Sequence, residues 1–179
     1  MKQCCALLLF LSILFSFALA ESPQEAFPIL ADFATTDLDG NAVDETVLSN
    51  HALTMVNIWG TFCNPCIAEM PGLGEIHAEL SAQAFQIIGL AIDVQDNELK
   101  TVETQIALAK EIISQTKAEY RHLVPSLQMY QTFLAQVTAV PCTFFVDASG
   151  NLTGEVYYGS RTKAQWLEII LPLLNEVTP

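Results

Sequence analysis

The chain has 179 residues, 51% of them hydrophobic, and carries a formal charge of −13 from 7 basic and 20 acidic side chains. That length suits one domain with a single sizeable core, and such an acidic excess repels phosphate backbones, which excludes nucleic acid as the expected partner. The charge also describes an ordinary solvated surface, so it does not by itself select a basic partner.

Lys2 precedes an apolar run from Ala6 to Leu19, broken only by Ser12 and Ser16 and followed by Ala20. A positive start, a short apolar stretch and small residues at Ala18 and Ala20 are the marks of a secretory signal. A retained membrane anchor is the competing reading, but a span needs roughly 20 apolar residues. The expected division is a signal over residues 1–20, an extended lead-in over 21–32, of which Glu21 to Pro28 reads as extended or mobile, and one domain over 33–179. Cleavage after Ala20 removes Cys4 and Cys5 and leaves Cys63, Cys66 and Cys142. Export, to a periplasm or the extracellular space, puts these thiols where disulfides persist.

Along the domain, Phe33 to Val43 encloses Asp39-Gly40-Asn41, which predicts a small hairpin. Leu53 to Trp59 reads as a buried central strand, and Phe85 to Ile92 as a second. Between them Ile67, Met70, Leu73, Ile76 or His77, and Leu80 recur at helical spacing. Leu99, Val102, Ile106, Ala109 and Ile113 mark one face of a further helix. Tyr120 to Val124 is a candidate short strand, and Ser126 a candidate N-cap for a helix over Leu127 to Gln136. Cys142 to Val146 and Leu152 to Tyr158 are strands joined by Ser149-Gly150-Asn151. Thr162 to Asn175 closes the chain as a helix that Pro172 is expected to kink or end. The order is α/β, with a central mixed sheet because the last hairpin is antiparallel, and with helices on both faces.

Cys63-Asn64-Pro65-Cys66 stands where a strand turns into a helix. Two intervening residues bring the sulfurs together, and the helix N-terminus favours a thiolate on the first of them. Cys63 is then the attacking nucleophile and Cys66, one turn deeper, the resolving thiol. Pro65 suits the first helical turn, where its missing N–H costs nothing. A structural disulfide gains little from so short a loop, and structural zinc lacks a second close pair of ligands. No metal or other cofactor is expected.

The segment Val56-Asn57-Ile58-Trp59-Gly60-Thr61-Phe62-Cys63-Asn64-Pro65-Cys66-Ile67-Ala68-Glu69-Met70-Pro71 resembles the active-site stretch of the TlpA/ResA-like family of extracytoplasmic thioredoxins. Val140-Pro141-Cys142-Thr143-Phe144-Phe145-Val146-Asp147 resembles that family's second signature. The resemblance runs from about Phe33 to Leu174. It implies a thioredoxin-like fold with an N-terminal β-hairpin extension and a cis Pro141 facing the cysteines. It also implies a proton-transfer role for Glu69, and Trp59, Phe62 and Val140 near a docked substrate. Phe62 stands where the family usually has Trp, and Cys142 where it usually has Thr.

Several residues also have plain readings. Glu69 lies three residues after Cys66 on one helix, so the two are neighbours; a partly buried carboxylate with a raised pKa could take the Cys66 proton. The position is nevertheless read as near solvent, where Glu69→Gln leaves the fold intact. Asn57 is expected to satisfy backbone groups, Trp59 to be core packing more often than a contact residue, Cys142 to be a small buried filler on the sheet face away from Pro141, and His51, His77 and His122 receive no role. The function so reached is thiol–disulfide exchange with exported proteins by a monomer, and the family resemblance implies reduction, for example of apocytochrome c. Its partners are protein disulfide or dithiol substrates and an upstream electron donor, a membrane thiol transporter. Peroxide reduction of the peroxiredoxin type and copper delivery are the rivals.

Overall fold

The computed structural model describes residues 28–177; the proposed signal and its cleavage point lie outside them. A two-stranded hairpin, β1 (Ala34–Thr36) and β2 (Ala42–Asp44), precedes a five-stranded sheet. In chain order follow β3 (Leu53–Trp59), α1 (Asn64–Leu80), β4 (Phe85–Ala91), α2 (Glu103–Thr116), β5 (Arg121–Leu123), α3 (Leu127–Thr132), β6 (Cys142–Asp147), β7 (Leu152–Tyr158) and α4 (Lys163–Val177).

The sheet order is β5-β4-β3-β6-β7, with β3, β4 and β5 parallel and β6 and β7 antiparallel to their neighbours. β3 and β4 are buried along their whole length, as continuous apolar runs in a sheet covered on both faces should be. The two parallel crossovers pack α1 and α2 on one face, joined there by α4 through Trp166, Ile170 and Leu174. From β5 the chain must return to the far side of β3. It does so across the other face, where α3 and the following helical turn bring Met129, Phe133 and Leu134 against Val56, Ile58, Ile88, Leu90 and Phe144.

Three turns share one construction. Asp37 and Asp147 each accept, through one carboxylate oxygen, from the amides two and four residues on, at 2.8–3.0 Å. The fourth residue is Gly40 or Gly150, with φ of +82° and +78°, the region that favours glycine. The loop between β4 and α2 repeats the pattern at Asp96, which accepts from the amides of Glu98 and Lys100, but its fourth residue is Leu99 at φ +60°.

Three expectations need correction. The second helix starts at Glu103, so Leu99 lies outside it, held in that turn by Asp96. The helix after Ser126 ends at Thr132 and continues only as a tighter turn over Leu134–Gln136. Pro172 does not end α4, which runs to Val177; Pro172 and Glu168 are both exposed, so the carbonyl deprived of its donor faces water. Ahead of β1, Pro28 bridges Asn151, Leu30 N–H donates to Gly150 O, and Leu30 is buried; residues 21–27 of the lead-in lie outside the described residues.

Candidate active site

β3 delivers the chain to the site and α1 carries it away. Gly60, Thr61 and Phe62 make the turn between them, closed by Cys63 N–H donating to Gly60 O at 3.0 Å. This turn is also fastened sideways. Thr61 N–H reaches both carboxylate oxygens of Asp93, each at 3.0 Å, and Thr61 Oγ1 donates to Oδ2 at 2.6 Å. Asp93 sits just past β4, so the neighbouring strand sets the position of the loop.

Cys63 is the N-cap of α1, and its sulfur accepts from Cys66 N–H at 3.2 Å. Asn64 and Pro65 fill the first helical turn, and a disulfide joins Cys63 to Cys66 with the Cα atoms 5.3 Å apart. Cys66 is fully buried; Cys63 keeps 5% of its surface, more closed than an open nucleophile would be. Phe62 beside it is 65% exposed. Val140 is half-buried.

The Val140–Pro141 bond is cis. Cys142 pairs with Ile58 across β3 and β6, which places Pro141 at the end of β3 where the cysteine turn begins. Thr143, two residues on, returns to the α1 face and meets Asn57.

Glu69 is buried, contrary to its near-solvent reading, because the face of α1 that carries Cys66, Met70 and Leu73 also carries it. Three donors hold the carboxylate: Asn57 Nδ2 on Oε1 at 3.0 Å, and Arg161 N–H at 3.0 Å and Trp166 Nε1 at 3.2 Å on Oε2. Loss of hydration raises its pKa above the ordinary carboxylate value, against those hydrogen bonds and the Arg161 charge. Asn57 therefore serves side chains rather than the backbone groups expected: its Nδ2 bridges Glu69 and Thr143 Oγ1, while its buried Oδ1 has no partner in the described structure. A polar line thus runs from the cysteine helix through β3 to the cis-proline strand.

Trp59 takes its core-packing reading, and the substrate contact implied by the resemblance is corrected. Trp59 is fully buried, and its indole N–H donates to His122 Nδ1 at 3.1 Å. The other ring nitrogen of His122 lies 2.9 Å from Ala118 O, so the neutral ring protonated at Nε2 satisfies both contacts. Burial lowers its pKa to about 4. Gly89, opposite His122 on β4, leaves room for that ring, since a Cβ there would stand 2.2 Å from Nδ1. Cys142 is buried on the opposite sheet face beside Phe133 and Phe144, where burial raises its thiol pKa against a hydrogen bond with the Tyr158 side chain.

Sequence reasoning missed Asp93, Arg161, the indole of Trp166 and His122. A signal existed for Asp93, a carboxylate at the C-terminal end of a parallel strand, where α/β sheets place their sites. None existed for Arg161, which contributes its backbone N–H.

The AhpC/TSA family matches residues 25–154. Thiol-disulfide oxidoreductase ResA of Bacillus thuringiensis subsp. konkukian is 27% identical over 148 residues, covering 83% of this chain and 76% of that protein. Among solved structures, a thiol:disulfide interchange protein of the thioredoxin family from Chlorobium tepidum TLS superposes with TM-score 0.67 at 24% identity, covering 84% of this chain and 99% of that one. A secreted Mycobacterium tuberculosis disulfide oxidoreductase homologous to E. coli DsbE gives 0.63 at 16%, covering 79% and 96%. Both share the thioredoxin-like fold described above, and the chain belongs to the AhpC/TSA family, with distant homology to the ResA thiol-disulfide oxidoreductases.

Proposed function

We propose that this thiol-disulfide oxidoreductase works outside the cytosol and reduces disulfides of exported proteins, apocytochrome c being one candidate. The observation that carries the reading is the buried Glu69 carboxylate, on the same face of α1 as Cys66 and held from three sides. In the reduced protein the Cys63 thiolate attacks a substrate disulfide, forming a mixed disulfide and releasing one substrate thiolate. Cys66 then gives its proton to Glu69 and attacks the Cys63 sulfur. The Cys63–Cys66 bond forms, the second substrate thiolate leaves, and Glu69 returns the proton to solvent or product. An upstream donor, such as a membrane thiol transporter, restores the dithiol with two electrons and two protons. Phe62 and Val140 flank the site, and the backbone of Val140, just ahead of the cis Pro141, can pair with an extended substrate segment.

A redox titration against glutathione tests the direction. A potential near thioredoxin's roughly −270 mV supports reduction, and one near roughly −120 mV supports oxidation instead. Peroxide consumption without disulfide exchange would favour the peroxiredoxin reading.

A further inference from the structure

Glu69 is held partly by a segment that also touches the cis-proline strand. Gly159 N–H donates to Pro141 O at 2.9 Å, and two residues later Arg161 N–H donates to Glu69 Oε2 at 3.0 Å. The Arg161 guanidinium folds back over this short bridge. It donates to Gly159 O at 2.9 Å and Tyr158 O at 3.3 Å, and stacks 5.1 Å from the Tyr157 ring centre and 5.0 Å from that of Trp166. Trp166 in turn donates to the same Glu69 oxygen. One arginine therefore orders both donors on Oε2 and brings a fixed positive charge toward a carboxylate in a poorly hydrated interior, where charge acts strongly.

We propose that Arg161 is a positioning residue for the exchange chemistry, holding Glu69 in its anionic, proton-accepting form. This rests on the reading of Glu69 as the proton acceptor for Cys66. The groups facing Glu69 are few: Asn57 on β3 and Trp166 on α4 are neutral donors, and Cys66 is one turn back on α1. Tyr120, just before β5, interacts electrostatically with the carboxylate. Tyr120 stays neutral, because burial raises its phenol far above the ordinary value. Arg161 thus supplies the positive charge in this set.

The test compares wild type, Arg161→Gln and Arg161→Lys. The Glu69 carboxyl is titrated by 13C NMR in the oxidised protein, and disulfide exchange is measured against pH in parallel. Arg161→Gln should raise the Glu69 titration midpoint by about 0.5–1 pH unit and move the acid limb of the rate profile by the same amount. Arg161→Lys keeps the charge and should recover at least half of that shift. An unmoved Glu69 midpoint in Arg161→Gln, or an equal shift in both variants, overturns the proposal. A rate profile without a Glu69-dependent limb would overturn the proton-acceptor reading separately, because the carboxyl titration does not depend on turnover.

Discussion

The two faces of the central sheet bury cysteines in different surroundings. Toward α1, α2 and α4 the packing includes Asn57, Thr143, Glu69, Tyr120 and His122, most of them joined by hydrogen bonds. Toward α3, Cys142 lies with Phe133 and Phe144 and is hydrogen-bonded to the Tyr158 side chain, and the face's buried polar pair, Thr54 and Gln86, lies at the far end of the strands. Cys63 and Cys66 begin a helix on the first face; Cys142 lies within a strand on the second. The contrast teaches that burial does not separate these cysteines, since all three are nearly or fully buried, whereas the start of a helix does.

The sharpest way to break this contrast is to exchange the thiols. Cys63→Ser should abolish disulfide exchange, whereas Cys142→Ala should retain it; equal losses in a standard reduction assay would refute the division between faces. Next in size is Glu69. Glu69→Gln should slow exchange about 100-fold near neutral pH. Its fold should survive for a reason other than solvent exposure: the partnerless Oδ1 of Asn57 can turn to accept from the new amide. Glu69→Ala instead orphans donors at about 1–3 kcal/mol each, so thermal melts should separate the two variants widely.

His122 gives the next effect. Its folded pKa, near 4, lies below its unfolded value of 6.5, so its contribution to stability is complete above 6.5 and lost as pH falls toward 4. The loss should be about 3 kcal/mol by urea denaturation, and His122→Gln should flatten that slope. A slope unchanged in the variant would remove His122 from the account. The smallest effect should come from the other face. Cys142→Ala should cost about 1 kcal/mol, and in the reduced folded protein Cys142 should resist alkylation while Cys63 is labelled. Fast labelling of Cys142 would erase the contrast.

Much of this architecture was legible in the sequence because strands β3 and β4 are continuous apolar runs and the redox turn has a fixed spacing. The turns show where legibility ended. Gly40 and Gly150 announce the positive φ that their construction requires, but Leu99 conceals it in the third copy, and a periodicity argument absorbed that leucine into a helix. The site was readable where one segment supplied it, as with Cys63, Cys66 and Glu69. It was unreadable where distant segments meet: Arg161 reaches Glu69 across 92 positions, through a backbone amide that every residue except proline possesses.

The tether between Thr61 and Asp93 gives the redox centre a sensitivity to its scaffold. The nucleophile's loop is clipped to the end of an adjacent strand, so fraying of β4 at Ala91 and Ile92 would slacken the turn before α1 itself loosened. The Thr61 amide proton then becomes a gauge of the site's integrity. Its exchange with solvent should follow opening of the sheet rather than fraying of the helix, tying the capacity for electron exchange to the intactness of the parallel core.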